Sequence, residues 1–132
     1  MNIVILGCGR VGATLATMLD RDGHTVAVID QQSASFQRLP NEFGGNLIVG
    51  NGVDEDVLLR AGIKQANAFI AVTDGDNRNI MASQIAREIY HVQRVMCRIY
   101  DPIREETYRG LGLETICPTI MGAQVFFDAV TR

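Results

Sequence analysis

The stretch Asn2-Ile3-Val4-Ile5-Leu6 runs directly into Gly7-Cys8-Gly9-Arg10-Val11-Gly12, and no other part of the chain limits the fold as much. A run that stays apolar from Ile3 to Leu6 reads as a strand buried on both faces, as in the middle of a parallel sheet. A GxGxxG pattern after such a strand opens a helix. Gly7 permits the tight turn out of the strand, Gly9 lets a phosphate approach the backbone, and Gly12 lets the helix pack close to the sheet. The helix N-terminus offers free N–H groups and the positive end of its dipole to that phosphate. Val11, Leu15, Met18 and Leu19 recur at helical spacing, and Asp22-Gly23 ends the helix. A second strand, His24 to Ile29, closes on Asp30, which lies 18 residues beyond Gly12. A carboxylate there can accept both hydroxyls of an adenosine ribose, and it repels a 2′-phosphate, so NADP is disfavoured. These residues predict a nucleotide site without choosing among NAD, ATP and ADP, which share adenosine and a diphosphate. Arg10 adds a fixed charge that suits a polyphosphate, or a phosphate held by a neighbouring subunit. The plainer alternative is a solvated arginine at a helix start.

The alternation of strand and helix continues. Ser33 to Leu39 is expected to be a short helix ended by Pro40, and Asn46 to Val49 a third strand. Asp54 can cap a helix that Gly62 stops, and Ala68 to Val72 is a fourth strand. Asp74 or Asp76 can cap a long helix whose apolar face is Ala82, Ile85, Ala86 and Ile89. Val95 to Ile99 is a fifth strand, Ile103 to Tyr108 a short helix, and Leu113 to Ile116 a sixth strand. The expected architecture is α/β: a Rossmann-like, doubly wound, six-stranded parallel sheet in the order 3-2-1-4-5-6. After Pro118, the stretch Ile120 to Val130 is apolar almost all round its helix. Such a helix needs cover on more than one side. A second subunit supplies it most simply; a downstream domain is the alternative.

With 132 residues, one core is expected rather than two. The net charge of -3 gives no basic field for nucleic acid, so none is expected as a partner. The longest apolar runs fall far short of the roughly 20 residues of a membrane helix. No signal peptide is recognisable, and a cytoplasmic location is expected. Cys8, Cys97 and Cys117 lack CxxC spacing and read as reduced, buried residues rather than disulfides or a zinc site.

Taken together, VILGCGRVG, GHTVAVID, IVGNGVDEDVLLRAGI, AVTDGDNRNI, MCRIYDP and LGLETICPTIMGA resemble the RCK/KTN N-terminal domain. That family comprises cytoplasmic, ligand-binding regulators of K+ channels and of Trk/Ktr-type potassium uptake systems. The resemblance covers nearly the whole chain, with residues 1–118 as the nucleotide-binding domain and 119–132 as a C-terminal crossover helix at the dimer contact. It implies NAD(H) or ATP/ADP as ligand. Gly7, Gly9, Arg10, Val11 and Gly12 would line the phosphates and Asp30 would hold the ribose. Asn51 and Gly52 would sit beside the adenine, Thr73 and Asp74 would border the remaining cleft, and Arg98 would point toward the ligand or the dimer partner. It further implies a homodimer or higher ring, and a place at the inner membrane held through a K+ transporter or channel subunit. Two departures stand out. Asn51 replaces the Asp of many relatives, and Thr119 stands where some place a cation-binding Glu, so no metal site is expected. The chain also stops where relatives usually continue into a second ligand-binding domain.

Other groupings carry less. His24 and His91 have no acid or thiol partner in the sequence and read as structural or surface residues. Asp54-Glu55-Asp56 is a helix-start acidic cluster. An NAD-dependent oxidoreductase is the rival reading, since fold does not settle function. No substrate domain, Tyr-x-x-x-Lys pair or acid–base grouping accompanies the glycine loop, so a non-enzymatic regulator is expected. A dimerisation module with a vestigial site is opposed by the presence of Gly7, Gly9, Gly12 and Asp30 together.

Overall fold

Six short strands form one parallel sheet in the order β3-β2-β1-β4-β5-β6, in a computed structural model that describes residues 1–132. β1 is Asn2–Leu6, β2 Thr25–Asp30, β3 Asn46–Val49, β4 Ala68–Ala71, β5 Arg94–Arg98 and β6 Glu114–Ile116. The helices are α1 Arg10–Arg21, α2 Glu55–Arg60, α3 Asp76–Gln84, α4 Pro102–Gly110 and α5 Pro118–Val130. β1 is central: Ile5 pairs with Val28 of β2 on one side and Ile70 of β4 on the other. Its Ile3 to Leu6 are all buried, which is why the run carries no polar alternation. The expected architecture and strand order are those observed.

The two faces of the sheet are unequally covered. Nineteen buried residues form the core beneath α2, α3 and α4, against ten on the α1 face. On the α1 face the helix buries its small residues Gly12, Ala13 and Ala16. The expected stripe behaves otherwise. Val11 and Met18 are exposed, and Val11, Leu15 and Leu19 border an open apolar groove of about 410 Å³. Small residues bring the helix axis close to the sheet and leave the larger ones at its edge.

Several local expectations are corrected. Neither Asp74 nor Asp76 caps α3; Gly75 is its N-cap. The Asp76 carboxylate instead accepts from the N–H groups of Tyr100 and Asp101, at 2.8 and 3.1 Å, tying α3 to the end of β5. α3 passes into a π-helical turn, Ile85–Ile89, which rotates Ile89 outward, so the expected apolar face ends at Ala86. The segment after β2 is a 3₁₀ helix, Ser33–Arg38. β5 begins and ends one residue earlier than expected, and Leu113 is buried just ahead of β6 rather than within it. His24 does have an acid partner: its Nε2 lies 3.1 Å from Asp22 at the surface. By contrast, Asp54 caps α2 through the Asp56 N–H at 2.9 Å, and Gly62 adopts the left-handed conformation that stops it. Cys8, Cys97 and Cys117 are free and buried.

α5 has no buried residue. Phe126, Phe127 and Val130 are among its exposed apolar side chains, while Thr119 donates to the Tyr100 carbonyl at 2.8 Å and anchors the start.

Candidate functional site

A polar cleft of about 320 Å³ opens above the C-terminal ends of β1, β2 and β4. Strand order reverses between β1 and β4, and ligands of doubly wound sheets bind at such a switch point. Leu6, Gly9, Asp30, Gly52, Thr73 and Asp74 are among its walls.

The floor is the glycine loop. Gly7 has φ +109°, and its N–H donates to the Ile29 carbonyl at 2.7 Å, binding the turn to β2. A Cβ there would meet the Val72 carbonyl oxygen at 2.8 Å, so both conformation and space demand glycine. At Gly12 a Cβ would overlap the carbonyl of Gly7, because α1 passes so close to the turn. Gly9 differs: a Cβ there would meet nothing within 4 Å. Protein packing does not demand glycine at that position, and Gly9 lines the cleft.

Asp30 ends β2 and links the loop to the cleft. One carboxylate oxygen accepts from the Cys8 N–H and the other from the Gln32 N–H, each at 2.8 Å. A carboxylate has about four acceptor sites. Two backbone contacts therefore leave Asp30 room to accept ribose hydroxyls. The cleft beside it is continued by Gln31, Gln32 and Ser35, with no cation among them.

The opposite wall is held by a buried side chain that the sequence reading passed over. Asn79, with no solvent exposure, accepts from the Thr73 N–H at 2.9 Å and from the Thr73 hydroxyl at 2.6 Å. Its amide donates to the Thr73 carbonyl at 3.0 Å and to the Arg98 carbonyl at 2.9 Å. All four of its hydrogen-bonding capacities are thus used, and the ends of β4 and β5 are locked to α3. Arg78, one residue earlier, also escaped the sequence reading; it is the one cation among the residues lining the cleft.

Other candidates stand apart from this cleft. Arg10 is exposed and lies with Arg38 and Arg21 in a shallow depression on the outer side of the loop. Arg38 donates from there to the Cys8 carbonyl at 3.3 Å. Val11 borders the apolar groove beside α1. Asn51 is exposed and uses its side-chain oxygen on the Val53 N–H, so Gly52 alone of that pair lines the cleft. Gly52 has no room for a side chain because Leu6 fills the space. Arg98 donates to the Val72 and Thr73 carbonyls at 2.8 and 2.9 Å, with its guanidinium 4.7 Å from the Tyr100 ring centre. It lines the apolar groove and is not among the residues lining the polar cleft.

Nucleophilic chemistry finds no support here. Burial, and then the Asp30 charge, push the Cys8 thiol up despite Arg38. Burial pushes Cys97 up to about 11. Neither is a thiolate near neutral pH.

The TrkA-N domain model matches residues 3–118. The chain is 54% identical over 116 residues to a Trk system potassium uptake protein TrkA of Streptomyces coelicolor, covering 88% of this chain and 52% of that protein. It is 34% identical over 133 residues to a Trk system potassium uptake protein TrkA homolog of Methanothermobacter thermautotrophicus, covering 100% and 61%. The chain thus spans between half and two thirds of the length of these relatives. Among solved structures, the GsuK RCK domain superposes with TM-score 0.79 at 25% identity, over 95% of this chain and 27% of that one. No helix of the chain is long and apolar enough to cross a membrane.

Proposed function

This chain belongs to the TrkA-N domain family, and from that membership we propose that it is the nucleotide-binding regulatory part of a K+ transport system, acting on a Trk/Ktr-type uptake transporter or a K+ channel. Residues 1–118 form the ligand-binding domain of this proposal and 119–132 its dimer helix. The observation that carries it is Asp30, whose carboxylate organises the glycine loop through Cys8 yet keeps acceptor capacity toward the cleft. Adenosine would lie with its ribose on Asp30 and its base near Gly52. Its first phosphate would meet the open backbone at Gly9 and the N-terminus of α1. Gly7 and Gly12 shape that cradle, Thr73 and Asp74 form its far wall, and Arg10 covers the outer side of the loop. NAD(H), ATP and ADP all carry the matching adenosine diphosphate.

Binding rather than turnover fits the residues around the cleft. Its lining holds no His, Lys, Tyr or Cys, and of its two carboxylates Asp30 is bonded to the Cys8 and Gln32 N–H groups while Asp74 stands almost fully in solvent. The exposed apolar α5 and the open groove on the α1 face are matched in character, which supports a homodimer in which α5 of one copy covers Val11, Ile70, Met96 and Ile116 of the other. Arg98 and Val11 then serve the subunit contact. A ligand regulates such an assembly only by binding one arrangement better than another.

Calorimetric titration with NAD, NADH, ATP, ADP and AMP tests the nucleotide reading. Saturable binding of at least one, with no NADH oxidation across a panel of small carbonyl substrates, is the expected result. Absence of any saturable heat contradicts nucleotide binding, and steady NADH turnover would favour the oxidoreductase.

A further inference from the structure

The cations near the glycine loop fall into two groups. Arg10 and Arg38 face outward into the depression along α1. Arg78 alone lines the cleft, beside Asp74 on the wall that follows β4, across β1 from Asp30 at the end of β2. A nucleotide anchored with its ribose at Asp30 sends its phosphates across Gly9, and whatever follows the first phosphate heads toward Thr73, Asp74 and Arg78.

Arg78 is held there loosely. Its Nη1 lies 3.8 Å from Asp74 Oδ1, beyond ordinary hydrogen-bond distance, and the Asp74 side chain is 93% exposed. An exposed pair of this kind contributes little and is readily exchanged. Its backbone, by contrast, is fixed, because the adjacent Asn79 is bound on all sides by the ends of β4 and β5. The side chain therefore has a fixed base and a weak partner. A terminal phosphate carries more charge than the Asp74 carboxylate, and a two-oxygen contact with it would replace the single 3.8 Å approach of Asp74 Oδ1.

We propose that Arg78 is a specificity residue of the cleft, which exchanges its loose pair with Asp74 for the terminal phosphate of a nucleoside diphosphate. This rests on the nucleotide reading above and deepens it by naming the preferred class. ADP presents a free, doubly charged β-phosphate to Arg78. AMP stops before it, and the second phosphate of NAD is esterified and singly charged. Asp74 acts as the internal competitor, occupying Arg78 until the phosphate arrives.

The test is calorimetry with ADP, AMP and NAD on the wild-type chain, Arg78→Ala, Asp74→Asn and the double variant. Arg78→Ala should weaken ADP about tenfold or more, the usual scale of a lost charge-assisted contact, and change AMP by less than about threefold. Asp74→Asn should strengthen ADP, and the gain should shrink when Arg78 is already absent. Thermal melts establish that each variant is folded, which is expected for an exposed Asp74 and a half-buried Arg78 that makes only a loose contact with it. Equal losses for ADP and AMP in folded Arg78→Ala overturn the specificity role. An undiminished Asp74→Asn gain in the double variant overturns the competition. If the wild-type chain binds none of the three ligands, the nucleotide reading itself fails, and this proposal with it.

Discussion

Replacing Asn79 by Ala removes four hydrogen bonds from a side chain without solvent exposure. The consequences for its partners differ. The Thr73 carbonyl keeps Arg98 Nη2 at 2.9 Å, and the Thr73 hydroxyl can turn to the Gly75 carbonyl at 3.3 Å. The Thr73 N–H and the Arg98 carbonyl lose this partner, apart from a long thiol contact of Cys97 to the latter at 3.8 Å. A buried polar group left without a partner costs about 1–3 kcal/mol, so two such groups give about 2–6 kcal/mol. Water entering the vacated space offsets part of this, leaving about 1–4 kcal/mol, a sizeable share of the roughly 5–15 kcal/mol that holds a domain together. Urea unfolding followed by circular dichroism reads the loss as a lower midpoint at unchanged slope. Thr73 forms a wall of the cleft, so affinity for adenine nucleotides should fall in the same variant under conditions where it is folded. A destabilisation below about 1 kcal/mol would refute the claim that Asn79 locks the two strand ends to α3.

Asp30→Ala should weaken every adenosine ligand by roughly 10- to 150-fold in calorimetry, and should lower the melting temperature because the Cys8 and Gln32 N–H groups lose their acceptor. Unchanged affinity for all of them would remove Asp30 from the site. Phe127→Glu places a charge on the exposed face of α5 and should shift a dimer to monomer in sedimentation without altering the monomer's fold. A stable monomer of the unmutated chain at micromolar concentration would contradict the α5 contact. Cys97 should react with a disulfide reagent at pH 7.5 only as the chain unfolds, since it is buried and burial holds its thiol up at about 11. Rapid labelling of Cys97 in the native protein would show that α3 opens easily.

Much of the fold was legible because its signals are local. Glycines at 7, 9 and 12 and the acid at 30 can be placed by spacing alone, and the apolar runs repeat with the period of a parallel sheet. What escaped depends on which neighbour wins a given group. Asp76 has the chemistry of a cap, but the Tyr100 and Asp101 N–H groups lie within its reach and hold its carboxylate. The direction of Arg10 at the start of α1 depends on where the helix settles against Gly7, and so the sequence could not distinguish inner from outer cations. Arg78 has the same difficulty in reverse. Asn79 carried a usable signal: it stands three and seven residues before Ala82 and Ala86, on the buried side of α3. A polar residue on that stripe calls for buried partners. Val11 and Met18 show the limit of periodicity, since an apolar stripe need not be the face that packs when small residues lie beside it.

Regulation of the proposed kind requires ligand and assembly to be coupled, and sedimentation equilibrium with and without saturating ADP measures that coupling. Linkage requires a nucleotide that favours one subunit arrangement to change the dimer dissociation constant by the square of the factor by which dimerisation changes the affinity of each of its two sites, about 25- to 20,000-fold for an ordinary coupling of about 5- to 150-fold per site. A change within that range in the wild-type chain, abolished by Asp30→Ala, is the predicted result. The same dissociation constant with and without ADP, in a chain that calorimetry shows to bind it, would contradict regulation through ligand-biased assembly.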